Sequence, residues 1–192
     1  LVRFDEFSNL SVHVALDHQL ALEDISDVTF PLLLIIPLRL GLTDINHIYI
    51  PALKRCLEIP TTLGIIGGRP NQALYFTGYV EDEALYLDPH TVQRSGGINA
   101  KENQNEVELD ETFHNKHAGR MNFTSMDPSI AVAFLCKTQS EFNALIKELR
   151  TCEAGETPLF EIVEQRAQPW VSTSMSSRDL EHDLGVICGS LG

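Results

Sequence analysis

Ala73-Leu74-Tyr75-Phe76-Thr77-Gly78-Tyr79-Val80-Glu81-Asp82-Glu83-Ala84-Leu85-Tyr86-Leu87-Asp88-Pro89-His90 reads as two aromatic-rich strands joined by an acidic turn, with a carboxylate and an imidazole two residues apart at its end. Aromatic and branched residues in short runs around a polar turn are the pattern of a β-hairpin. In extended backbone, residues i and i+2 share a face. Pro89 fixes its own φ and pushes Asp88 toward extended conformations. Asp88 is therefore placed to orient His90, as a general base requires. These two residues are candidates for two thirds of a catalytic triad. The plainer reading is a turn that carries an exposed histidine.

Around the hairpin the chain alternates between strand and helix signals. Leu10 to Ala15 alternates as a strand, and Gln19 to Asp24 predicts a short helix. The apolar run Pro31 to Leu38 predicts a buried central strand, and it is too short to span a bilayer. Thr43 predicts a cap for a helix entered through Asp44, with Pro51 either kinking it or restarting it in a first turn. Ile130 to Leu135 predicts a strand. It leads through Lys137-Thr138-Gln139-Ser140 into a helix whose Phe142, Leu145, Ile146 and Leu149 have the spacing of a buried face. Pro158 to Glu164 predicts a last strand. The expected architecture is α+β, with a central, largely antiparallel sheet and flanking helices.

Composition sets limits. The 192 residues are 43% apolar, enough for one substantial core, and the formal net charge is −13. That charge argues against nucleic acid as a partner, because phosphate binding needs a basic patch. Four cysteines without a C-x-x-C pair fit reduced thiols, so a cytoplasmic location is expected. The polar stretch from Gln93 to Asn115, with Glu102, Glu106, Glu108, Asp110 and Glu111, reads as a solvated surface excursion. His114-x-x-His117 lacks further ligands at zinc spacing, so no metal is expected.

Several blocks in fixed order carry a resemblance. They are Pro37-Leu38-Arg39-Leu40-Gly41-Leu42-Thr43-Asp44-Ile45-Asn46, the run from Leu63 through Gly67-Gly68-Arg69-Pro70-Asn71 to Val80, Asp88-Pro89-His90, Arg120-Met121, Met126-Asp127-Pro128-Ser129-Ile130-Ala131-Val132-Ala133-Phe134, and Phe160-Glu161-Ile162-Val163-Glu164-Gln165. Together they resemble the autophagins, papain-like cysteine proteases of autophagy. The resemblance implies a papain-like fold. It also implies an activity that trims a ubiquitin-like autophagy modifier after glycine and releases that modifier from phosphatidylethanolamine. By the same resemblance Asp88 and His90 are the catalytic pair, and Gly67, Gly68, Pro70 and Asn71 form a loop over the active site that lifts when the modifier's glycine tail enters. A monomer that neither spans a membrane nor needs a cofactor is expected.

The family's nucleophilic cysteine lies in a Gly-Trp-Gly-Cys type segment before the Val12-His13-Val14-Ala15 strand, and no such segment occurs here. The expectation is therefore the C-terminal portion of a protease domain over residues 1–165, followed by a flexible polar tail over 166–192. None of the four cysteines reads as a substitute. Cys56 falls on an apolar-periodic helix and Cys136 at the end of a core strand, while Cys152 and Cys188 sit in polar surroundings with no glycine-rich turn into a helix. In the tail, Trp170-Val171-Ser172-Thr173 and Leu184-Gly185-Val186-Ile187 both depart from the aromatic-x-x-aliphatic pattern that docks such tails on the modifier, and Phe160-Glu161-Ile162-Val163 fits it but reads as a core strand. Two other classes stay open at this point: a noncatalytic modifier-binding or scaffold protein, and a metal hydrolase that uses Asp88 and His90 as ligands.

Overall fold

The computed structural model describes residues 9–90, 114, 115, 117–155 and 157–166. Its strands are β1 (Ser11–Val14), β2 (Gln19–Ala21), β3 (Leu32–Arg39), β4 (Thr62–Arg69), β5 (Gln72–Val80), β6 (Glu83–Leu87), β7 (Gly119–Asn122), β8 (Ser129–Cys136) and β9 (Glu161–Val163). The helices are α1 (Ile50–Glu58) and α2 (Gln139–Gly155). Seven strands form one sheet in the order β1-β3-β8-β4-β5-β6-β7, and β2 pairs with β9 apart from it. Only the β1–β3 contact in the large sheet is parallel. The expected α+β class, with a largely antiparallel sheet, holds.

β3, expected as a central strand, is an interior one, second in the sheet beside the edge strand β1, and both of its faces are apolar. Leu32, Leu34, Ile36 and Leu38 are buried, and the alternate positions Leu33, Ile35 and Pro37 are half-buried. A proline in such a strand needs a place where no amide is required. The Ala15 amide donates to the Ile35 carbonyl, and the β1 pairing ends there, so the edge that Pro37 presents two residues later has no strand to bond. On its other edge β3 pairs with β8 without interruption from Leu32↔Cys136 to Arg39↔Ser129. Phe76, Phe123 and Phe134 are fully buried in the core beneath these strands.

Both helices begin where local chemistry allows. Pro51 lies in the first turn of α1, one of the two expected outcomes. Thr43 caps nothing: its hydroxyl donates to the Asp44 carboxylate, and Asn46 instead caps a short 3-10 turn, His47–Tyr49, by accepting from the Ile48 amide. For α2, Thr138 accepts from the Glu141 amide at 3.2 Å and the Glu141 carboxylate accepts from the Lys137 amide at 2.6 Å, a variant of the capping box. Its Phe142, Leu145, Ile146 and Leu149 are buried as the spacing predicts.

The segment expected to be a short helix, Gln19 to Asp24, is instead β2 followed by a 3-10 turn over Leu22–Ile25. Pairing with β9, about 140 residues away in sequence and buried over Leu20 and Ala21, overrides the local preference. The last strand is shorter than expected. Arg166, expected as the first residue of the tail, is held by the Asp24 carboxylate at 2.8 and 2.9 Å, and its amide donates to Glu23. The acidic cluster at 102–111, the side chain of Cys152, Cys188 and the tail motifs lie outside the described residues.

Gly68 and Gly78 provide a contrast within one hairpin. Gly68 has φ of 154°, and a Cβ there would meet the Gln72 carbonyl oxygen at 2.0 Å, whereas nothing lies within 4 Å of a Cβ at Gly78. We expect Gly68→Ala to destabilise the fold by about 1–3 kcal/mol and Gly78→Ala to change it by about 1 kcal/mol or less. Thermal unfolding of the two variants checks this. Equal melting shifts would refute the steric argument.

Candidate active site

β5 and β6 place Asp88 at one end of the sheet. Tyr75 pairs with Leu87, so β6 ends beside the start of β5, next to the turn that joins β4 to β5. Arg69↔Gln72 is the last pair before this turn, whose central residues are Pro70 and Asn71. Asn71 has φ of 68°, and proline followed by a residue with positive φ is the pattern of a type II turn. The structure thus corrects the expected loop in part: Gly67 and Gly68 are paired residues of β4, opposite Leu74 and Ala73, and only Pro70 and Asn71 lie outside the ladder. Two glycines in a row give no strand signal in sequence, and the antiparallel partner supplies it.

Asp88 and His90 do meet, but not through extended backbone. Residues 88–90 form a turn in which Asp88 Oδ1 accepts from the His90 amide at 2.9 Å, an Asx-turn, and contacts His90 Nδ1 at 2.6 Å. One carboxylate oxygen therefore holds both the backbone and the ring of His90. With Nδ1–H donating to Asp88, the lone pair of Nε2 is the basic one. The side chains are 36% and 54% exposed for Asp88 and His90, so the pair is open to an incoming group. The His90 amide and ring, with a smaller contribution from the Gln72 amide, hold the Asp88 carboxyl below its ordinary value. That sign means that ionised Asp88 favours the folded turn at pH above the ordinary carboxylate range, and the contribution is lost as pH falls through the lowered value.

Other groups share this end of the sheet. Arg39 ends β3 and donates to Ser129 Oγ at 2.5 Å and to the Leu42 carbonyl at 2.7 Å. The loop it braces carries Leu42, 88% exposed. Asp127 donates its amide to the Gly68 carbonyl and accepts from the Ser129 amide, which ties β8 to β4 at the same place. Sequence reading did not single out Leu42 or Gln72. An exposed leucine has no periodic signature, and the Gln72–Asp88 contact spans 16 residues.

The described thiols lie elsewhere. Cys136 pairs with Leu32 at the far end of β8, about 23 Å along the strand from Ser129. It is fully buried, and burial with the nearby Glu141 charge pushes its thiol up to about 11. Cys56 is buried on α1 between Lys54, which pairs with Asp82 of the β5–β6 turn at 2.8 Å, and Glu58, which accepts from the hydroxyl of Tyr79 near the end of β5; both partners lie at that far end. Both match their reading as structural thiols. Among the described residues no three His, Cys, Asp or Glu side chains gather as a metal site, and no helix is long and apolar enough to cross a membrane.

Comparison with known proteins gives this arrangement a family. The profile of the peptidase C54 catalytic domain matches residues 1–148. The chain is 38% identical to cysteine protease ATG4B of Xenopus laevis over 86% of its own length and 50% of that protein. It is 37% identical to ATG4B of Gallus gallus, covering 86% and 51%, and 33% identical to cysteine protease ATG4A of Homo sapiens, covering 88% and 51%. It spans about half the length of these curated relatives. With its largely antiparallel α+β sheet, the chain belongs to the peptidase C54, or autophagin, family of papain-like cysteine proteases.

Proposed function

We propose that this sequence supplies the base-bearing part of an autophagin active site, which acts on the C-terminus of a ubiquitin-like autophagy modifier. The observation that carries the reading is the 2.6 Å contact of Asp88 with His90 Nδ1, beside the Pro70-Asn71 turn. His90 Nε2 takes the proton of a cysteine thiol, and the thiolate attacks the carbonyl carbon of the modifier's glycine. As the tetrahedral intermediate collapses, the C–N bond breaks and His90 returns the proton to the leaving amine. Water then attacks the thioester with His90 again as base, releasing the glycine carboxylate and regenerating the thiol. The amine is a peptide nitrogen during trimming and the ethanolamine nitrogen of phosphatidylethanolamine during delipidation, so one constellation serves both reactions.

Cys56 and Cys136 are buried at the wrong end of the sheet, so the nucleophile is another cysteine; by the family resemblance it belongs to a Gly-Trp-Gly-Cys type segment outside this sequence. Gly67, Gly68, Pro70 and Asn71 border the path of the modifier's tail. Exposed Leu42 at the same sheet end offers an apolar contact to the modifier's body.

Two outcomes follow. The isolated chain leaves a modifier precursor uncut in time-resolved mass spectrometry; cleavage that disappears in Cys56→Ala would overturn this assignment of the nucleophile. In the full-length enzyme, Asp88→Asn lowers turnover on the order of 10²-fold or more, because the amide favours the wrong imidazole tautomer, while a thiol depends on its base less than the alcohol of a serine protease does. Modifier binding by calorimetry is retained, and Asp82→Asn on the β5–β6 turn serves as the control. An Asp88→Asn enzyme that turns over within a few fold of wild type would remove Asp88 from the mechanism.

A further inference from the structure

Asp88 uses Oδ1 for both bonds to His90, which leaves Oδ2 to decide whether the carboxylate can pivot. Gln72 Nε2 donates to that oxygen at 3.1 Å. The backbone from which this amide projects is itself fixed. Gln72 closes the β4–β5 turn opposite Arg69, and its carbonyl packs against Gly68 so closely that a Cβ there would lie 2.0 Å away.

We propose that Gln72 is a positioning residue for the catalytic pair: its amide fixes the plane of the Asp88 carboxylate, and so the direction of His90, from the residue next to the Pro70-Asn71 turn. The inference rests on the reading of Asp88 and His90 as catalytic. With Oδ1 alone engaged, rotation about the Cβ–Cγ bond of a half-exposed carboxylate would change the line of the Nδ1 contact. A second bond to Oδ2 stops that rotation without adding charge. His90 holds the Asp88 carboxyl down most strongly, and the neutral Gln72 amide adds a smaller effect in the same sense. A ligand seated on the turn is thereby one residue from the group that steers the base.

The full-length enzyme carrying Gln72→Ala, Gln72→Glu or Gln72→Lys tests this by two readouts: kcat and KM for precursor cleavage, and 13C-carboxyl NMR titration of Asp88, assigned by the resonance missing from Asp88→Asn. Gln72→Ala lowers kcat roughly three- to tenfold with KM unchanged, the size of one hydrogen bond. Gln72→Glu moves the Asp88 titration up by about one unit and Gln72→Lys moves it down, because like charge disfavours and opposite charge favours the carboxylate. In Gln72→Ala, which adds no charge, the Asp88 titration moves up together with the fall in kcat; a Gln72→Ala enzyme that melts lower but keeps the wild-type kcat and Asp88 titration overturns the proposal. Kinetics of Asp88→Asn separate the two levels. A fully active Asp88→Asn removes the catalytic reading itself, while an inactive one beside unaffected Gln72 variants removes only the part given to Gln72.

Discussion

Eight consecutive residue pairs join β3 to β8, from Leu32↔Cys136 to Arg39↔Ser129, and every other strand of the large sheet takes its place from that ladder. The pairing is strongly specified because a slip of one residue would turn Leu32, Leu34, Ile36 and Leu38 out of the core. β8 then receives β4 on its free edge, β4 turns into β5, and β5 into β6. Register passed along this series gives the sheet two chemically different ends. One holds Arg39, Ser129, the Pro70-Asn71 turn and Asp88; the other holds Cys136 and the acidic turn at Glu81–Glu83. Cys136 at the second end is separated from His90 at the first by the length of the strands.

The Asp88–His90 pair is built from short-range bonds on a long-range frame. Asp88 binds both the amide and the ring of His90, so the geometry of the imidazole depends on a three-residue turn that needs no strand of its own. What the frame contributes is place. The Tyr75↔Leu87 pairing ends β6 beside Gln72, and the Asp127 amide on the Gly68 carbonyl fastens the start of β8 to the same corner. A loop could carry the Asx-turn anywhere; the sheet brings it to the turn that borders the proposed entry of the modifier tail.

Legibility in the sequence followed the range of the interaction that decides each element. The β5–β6 hairpin, β8 and α2 were readable because periodicity, a polar turn and the Thr138–Glu141 cap all act within a few residues. Gln19–Ala21 was misread as helix because its deciding partner is β9, and Gly67 and Gly68 were misread as loop because two glycines hide a strand that only β5 reveals. The cap at Thr43 failed for a local reason: its hydroxyl turns to Asp44, leaving Asn46 to start the 3-10 turn. Asp88 and His90 come together as their spacing predicts, yet the spacing works through an Asx-turn and not through a shared strand face. Nothing in the sequence marked Gln72, because no local pattern links a turn-flanking amide to a carboxylate just past the end of the next strand.

The claim on which the account turns is that His90 is the base for a cysteine other than Cys56 and Cys136. A crystal structure of the full-length enzyme, with the modifier's glycine terminus bound, measures it directly through the distance from His90 Nε2 to the nearest cysteine sulfur. The account predicts that a cysteine outside the described residues lies within about 4 Å of Nε2, with Nδ1 still on Asp88, as a nucleophile and its base require. A His90 ring farther than about 7 Å from every cysteine sulfur in that complex, beyond direct proton transfer or a single bridging water, would contradict it.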